Sequence, residues 1–248
     1  SLEWRRKTPG AERAGALLAV ESTGQALRDM ARGYAARIGA EIVAVTGSAG
    51  KSSVKDMTAG MLATAFPTAR TQGNWNNDVG LPLSLLGMDP ATRIGVFELG
   101  INHPGEMARL CEVLQPAWAV ITNIGPVHIE FFGTLEAIAR EKARVLERLP
   151  PGGAAVLNRD SNCFDLLRSL APARVVTVSM KGEADYRCTR RNAATREMVV
   201  REQASGEELA ARLPVPGEHN VANALMAIAV ARGHGVAWDG IRAALEQY

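Results

Sequence analysis

The run Thr46-Gly47-Ser48-Ala49-Gly50-Lys51-Ser52-Ser53 sets glycines, a lysine and hydroxyls at a spacing that suits a phosphate. Glycines let backbone N–H groups turn toward an anion, a helix N-terminus favours negative charge there, and Lys51 adds a full positive charge. Ser52, directly after the lysine, offers the hydroxyl that accompanies Mg²⁺ in such loops. The general pattern has a glycine where Val45 stands, so the match is to a shorter form, Thr-Gly-x-x-Gly-Lys-Ser. The implied ligand is a nucleoside triphosphate with its metal.

Other chemistry-bearing residues follow at intervals. Glu98 closes the apolar run 94–98, and a carboxylate there can hold Mg²⁺ directly or through water. Thr122 and Asn123 close the run 118–122, with His128 shortly after. The stretch 71–78, Thr-Gln-Gly-Asn-Trp-Asn-Asn-Asp, is too rich in Asn to be a regular element. Taken alone, Lys142 reads as a surface lysine and the Asn cluster as a turn. Together, at one sheet edge beside a phosphate loop, they read as a site.

The elements that must position these residues alternate. Ile42, Val43 and Val45 form a β-branched strand run, and Val54, Met57, Met61, Leu62 and Ala65 recur at helical spacing. Strands at 94–98, 118–122, 154–157 and 175–178 are separated by helical patterns around 82–86, 110–114 and 135–149, the last stopped by Pro150-Pro151-Gly152-Gly153. This predicts an α/β fold: a mainly parallel, P-loop-type sheet with helices on both faces. Near 185–213 the pattern changes to a hairpin, 186–190 with 197–201, which predicts a small antiparallel addition. Helices are expected at 219–234 and 238–247, and another begins at a Thr23 cap with Leu27, Met30, Ala31, Tyr34 and Ile38 as its apolar side. Ligands in such a sheet bind at the carboxyl ends of the strands, where the phosphate loop, Glu98 and Asn123 all fall.

The chain has 248 residues, enough for one large domain or two small ones. A net charge of +2, from 28 basic and 26 acidic residues, gives no sign of a nucleic-acid or polyanion surface. Cys111, Cys163 and Cys188 form no CxxC pair, which predicts reduced thiols and a cytoplasmic protein. No apolar run is long enough to span a membrane, and residues 1–20 read as a loose leader without a signal core.

These motifs resemble the Mur ligases of peptidoglycan synthesis. The resemblance rests on 46–53, Gly73-Asn-Trp-Asn-Asn-Asp-Val-Gly-Leu-Pro-Leu83, Glu98-Leu-Gly-Ile-Asn-His-Pro-Gly-Glu106, Thr122-Asn-Ile-Gly-Pro-Val-His128, Phe132-Gly-Thr with Lys142-Ala143, and Gly217-Glu-His-Asn-Val-Ala-Asn-Ala224. It covers the chain from about Leu17 onward. The second and third segments resemble the branch that adds D-alanyl-D-alanine to UDP-MurNAc-tripeptide.

The resemblance implies ATP and Mg²⁺ as cofactors, the UDP-MurNAc-tripeptide and D-Ala-D-Ala as substrates, and a monomer. It assigns ATP binding to Thr46, Gly47, Ser48, Ala49, Gly50, Lys51, Ser52, Ser53 and Asn223, the last at adenine. It places Ser52 and Glu98 at Mg²⁺, His128 at a second Mg²⁺, and Lys142 as a carbamylated metal-binding lysine. Lys51, His128 and Lys142 become the catalytic set, and Asn76 and Asn77 lie near the substrate. Ser52 stands where threonine is commoner in the family, with the hydroxyl retained. The implied reaction activates a carboxylate as an acyl phosphate, which an amine then displaces.

The family has three domains. Residues 1–40 would be a leader and the last helix of an N-terminal UDP-binding domain, and 41–248 the central ATP-binding domain, with the C-terminal ligase domain outside the chain. Two alternatives stand beside this reading: a sister ligase of the folylpolyglutamate or cyanophycin synthetase type, or a non-catalytic nucleotide-binding scaffold.

Overall fold

A computed structural model describes residues 18–248. Most of the expected leader, 1–20, therefore lies outside the described residues. Nine strands form one sheet in the order β2-β3-β1-β4-β5-β6-β7-β8-β9. They are β1 (Glu41–Thr46), β2 (Thr68–Arg70), β3 (Ile94–Glu98), β4 (Trp118–Ile121), β5 (Ala154–Asn158), β6 (Arg174–Ser179), β7 (Tyr186–Asn192), β8 (Glu197–Glu202) and β9 (Glu208–Arg212). Pairing is parallel from β2 to β7 and antiparallel for β7–β8 and β8–β9. The expected mainly parallel sheet with an antiparallel addition is thus present.

Alternating residues of β1 explain why both faces are covered. Val43 and Val45 join one core with helices α2 (Lys51–Ala63), α8 (Glu218–Gly233) and α9 (Trp238–Glu246). Ile42 and Ala44 join the opposite core with α1 (Thr23–Ile38), α3 (Gly80–Leu86), α4 (Glu106–Val113), α6 (Leu135–Ala143) and α7 (Phe164–Leu170). A strand buried on both faces needs apolar residues at every position, which is why β1 reads as a continuous run rather than an alternation.

Five details differ from expectation. The cap of α1 is Ser22, whose hydroxyl accepts from Gln25 N, with Thr23 the first helical residue, and Met30 faces solvent. The expected 135–149 helix ends at Ala143 and resumes only as a 3₁₀ turn, Leu146–Arg148. The short strand β2 occupies what reads as a connection, and β9 adds a third antiparallel strand, with Arg242 Nε of α9 donating to Ala210 O at 3.1 Å.

The order β3-β1-β4 decides where the site forms. The chain leaves β1 to build β2 and β3 on one side, then returns to build β4 on the other, so β1 stands at a topological switch point. Register aligns Val45 with Glu98 and Thr46 with Ile121, so three strand ends reach one level. No helix among the described residues is long and apolar enough to cross a membrane.

Candidate nucleotide and metal site

The phosphate loop leaves β1 at Thr46, whose hydroxyl donates to Leu99 O at 2.9 Å, and turns at Gly47 with φ 146°. A Cβ at Gly47 would lie 1.9 Å from Thr122 Oγ1, so the loop can touch β4's end only because this residue has no side chain. Ser48 N and Ala49 N are taken by Asn123, through its backbone oxygen and its Oδ1, both at 3.0 Å. The Ser48 hydroxyl bonds Gly125, accepting from its N at 2.9 Å. These two loop residues are therefore tied to β4's loop, and the amides left to meet an anion are those of Gly50, Lys51 and Ser52, which open α2 without intrahelical partners. Ser53 completes that first turn. Asn123, expected at this strand edge but given no role there, holds the loop through both bonds; its position directly after a strand was the available signal.

Gly50 (φ 80°) lies against Asn223 of α8, where a Cβ would approach Asn223 Oδ1 to 2.5 Å. Asn223 is buried, with Nδ2 donating to Asn220 Oδ1 at 3.4 Å. It packs directly against the loop at Gly50.

Glu98 is only 2% exposed. Its Oε2 accepts from Ser52 Oγ at 2.8 Å and its Oε1 from Asn76 Nδ2 at 2.7 Å. Lys51 Nζ curls back to donate to Gly47 O at 3.1 Å. Burial pushes the Lys51 ammonium below its ordinary pKa, and the Glu98 charge opposes that shift.

A cavity of about 380 Å³ opens beside this corner, with Gly47, Ser48, Lys51, Asn76, Asn77, His128 and Lys142 on its wall. Lys142 is 5% exposed, and its pKa falls from 10.5 to about 8, chiefly through burial and then through the Lys51 charge, with Glu141 opposing. Glu141 is itself occupied: its Oε1 accepts from Gly105 N at 2.8 Å and Met107 N at 3.1 Å, closing the start of α4. His128 sits at a left-handed backbone position (φ 61°) ahead of the short helix α5 (Ile129–Phe132). Asn77 lines the cavity while its Oδ1 caps α3, accepting from Gly80 N at 2.8 Å. A larger cavity, about 670 Å³, lies at the antiparallel strands among Arg190, Arg212, Glu197 and Glu246. It lacks the phosphate-loop residues and the buried lysine of the smaller one.

The donor set suits Mg²⁺. Among the described residues no group of three His, Cys, Asp or Glu converges, so a thiolate or imidazole centre is absent. The Glu98 carboxylate with the Ser52 hydroxyl is the sparse oxygen set that Mg²⁺ accepts when phosphates and waters supply the remainder. The free cysteines offer no competing chemistry; burial pushes the Cys111 thiol up to about 12.

The sequence profile described as the Mur ligase middle domain matches residues 45–231. The chain belongs to the Mur ligase family. Within it, the chain is 36% identical over 230 residues to the Escherichia coli UDP-N-acetylmuramoyl-tripeptide–D-alanyl-D-alanine ligase, covering 92% of this chain and 51% of that protein. The crystal structure of MurF from Acinetobacter baumannii superposes with a TM-score of 0.86 at 31% identity, covering 93% of this chain and 51% of that one. MurF from Thermotoga maritima, solved in complex with ADP, gives 0.81 at 26% identity, with 92% and 54% covered. This Mur ligase chain therefore spans about half the length of the relatives it matches.

Proposed function

We propose that this chain is the central ATP-binding domain of an amide ligase that joins D-alanyl-D-alanine to the peptide of UDP-MurNAc-tripeptide. The observation that carries this is the corner itself: free loop amides and the Ser52–Glu98 pair adjoin Lys51, which shares a cavity wall with the buried Lys142. The names of the relatives supply the substrates, and the ADP complex of the Thermotoga maritima relative supports a nucleotide at the loop.

In this reading Lys51 and the amides of Gly50–Ser52 grip the phosphates. Ser52 and Glu98 would hold Mg²⁺, and His128 with a carbamylated Lys142 would hold a second ion; such ions would neutralise phosphate charge. The peptide carboxylate oxygen attacks the γ-phosphorus, the bond to the β-phosphate oxygen breaks, and ADP leaves an acyl phosphate. The amine of D-Ala-D-Ala then attacks the acyl carbon, loses a proton, and expels phosphate. The chain's part is positioning and charge stabilisation.

Lys142 suits carbamylation because burial lowers its pKa to about 8, so that far more of the amine is unprotonated near neutral pH than in an ordinary lysine. The nitrogen adds to CO₂, a proton leaves, and a cation becomes an anionic oxygen ligand. The nucleoside would lie past Asn223, over the recess of about 380 Å³ lined by Asn158, Asp160, Lys181 and His219. Residues 1–40 would belong to a UDP-binding unit, and the remaining ligase machinery to a further domain. Ligation by the 248 residues alone is accordingly expected to be slow.

Lys51→Ala tests the core of this. A buried charge-assisted contact contributes roughly 1.5–3 kcal/mol, so the variant should bind a fluorescent ATP analogue at least tenfold more weakly. Equal binding by Lys51→Ala, or none by the parent, would overturn the nucleotide reading. Grafting residues 41–248 into the E. coli relative and measuring phosphate release with each candidate acceptor would separate D-Ala-D-Ala addition from a sister ligase or a scaffold.

A further inference from the structure

The Asn-rich segment between β2 and α3 is fastened to the protein at several points. Lys55, 2% exposed on α2, donates from Nζ to Gly73 O at 3.2 Å. Thr71 Oγ1 accepts from Glu98 N at 3.0 Å. Asn76 O accepts from Gly100 N at 2.9 Å, and a Cβ at Gly100 would fall 2.6 Å from Asn76 Oδ1. Asn77 caps α3, and Asp78 accepts from Arg109 Nε at 3.1 Å. The same segment walls the cavity from Asn76 to Val79. Its contact with the metal carboxylate is the bond from Asn76 Nδ2 to Glu98 Oε1, 22 residues along the chain.

We infer that Asn76 is a positioning residue that fixes the Glu98 carboxylate for Mg²⁺ and so couples occupancy of the cavity to metal–nucleotide binding; this rests on the nucleotide reading above. A buried carboxylate has two oxygens to satisfy. With Oε1 held by Asn76, Oε2 is the oxygen presented beside Ser52, toward the loop. An amide that orients a ligating carboxylate acts as an outer-shell partner, and losing such partners costs about 10–100-fold in metal affinity. A ligand that packs on 76–79 would order the same segment, and by linkage Mg·ATP would favour that ligand by the same factor.

The test is Mn²⁺ binding in the presence of a non-hydrolysable ATP analogue, read by electron paramagnetic resonance on the 248-residue chain. Asn76→Ala should raise the Mn²⁺ concentration for half-saturation about 10–100-fold, while metal-free binding of the analogue stays unchanged. Gly100→Ala, which pushes the Asn76 amide aside without deleting it, should show the same shift. Asn74→Ala, exposed in the same segment, should behave as the parent. A folded Asn76→Ala with the parent's Mn²⁺ dependence overturns the inference, as does a normal dependence in Gly100→Ala should the first variant fail to fold. If the parent binds no analogue at all, the nucleotide reading fails instead.

Discussion

Gly47→Ala should destabilise the chain by roughly 4 kcal/mol and abolish measurable nucleotide binding. Two costs add. At φ 146° an L-residue is strained, at about 1–3 kcal/mol. The new methyl would lie 1.9 Å from Thr122 Oγ1 and 3.0 Å from Thr122 N, and forced overpacking costs about 1–3 kcal/mol more. The backbone contact cannot rotate away. If Thr122 yields instead, its hydroxyl leaves Ala49 O, now 2.5 Å distant, and the loop loses its anchor to β4. Urea denaturation with binding of a fluorescent ATP analogue measures both effects. Removing the hydroxyl as well, in Gly47→Ala/Thr122→Ala, should recover only part of the loss, because the backbone clash and the strain remain. A loss below about 1 kcal/mol would mean that the loop is not braced by this contact.

Lys142→Met should do the reverse to stability: a gain of up to about 3 kcal/mol at pH 7 in bicarbonate-free buffer. The folded-state pKa lies near 8 against an ordinary 10.5, and each unit is about 1.4 kcal/mol of preference between protonation states. Because the folded value is the lower one, the folded state binds the proton less well than the unfolded chain does. The penalty is complete below pH 8, fades as pH rises toward 10.5, and is gone above it. Methionine has similar length and no charge, so the gain should be largest at pH 7 and small at pH 10.5. Equal differences at both pH values would show that Lys142 is not held in a costly state. Bicarbonate should narrow the gap, since a carbamate beside Lys51 replaces repulsion with attraction. The same variant should lose ligation when placed in a protein that carries the flanking domains.

Much of this architecture could be read from the chain. The β1 run at 42–45 is apolar at every position because helices cover both faces, and the loop that follows has few alternatives to a helix N-terminus. The strand ends at Glu98 and Thr122 were legible because each apolar run stops on a polar residue. The rest depended on partners distant in sequence. β2 is three residues after Pro67, half-buried, and takes its register from β3. β9 exposes Glu208, Ala210 and Arg212 alternately, a pattern too short to distinguish from a polar connection without β8 beside it. The end of α6 at Ala143 carries no glycine or proline. A buried Lys55 looks, in sequence, like any surface lysine on a helix. Asn76 read as part of a turn near substrate; its bond to Glu98 exists only once β3 and the loop are folded together.

The two outermost strands also bear on how the chain behaves at high concentration. An unpaired strand edge invites another chain to add to it. At one end of this sheet the edge is only Thr68–Arg70, closed by the Arg70–Asp56 ion pair at 3.2 Å. At the other, charged residues flank Ala210, and Arg242 occupies the Ala210 carbonyl that a foreign strand would need. A sheet of nine strands thus offers short, charged and partly filled borders, which favours a chain that stays dispersed rather than one that polymerises edge to edge.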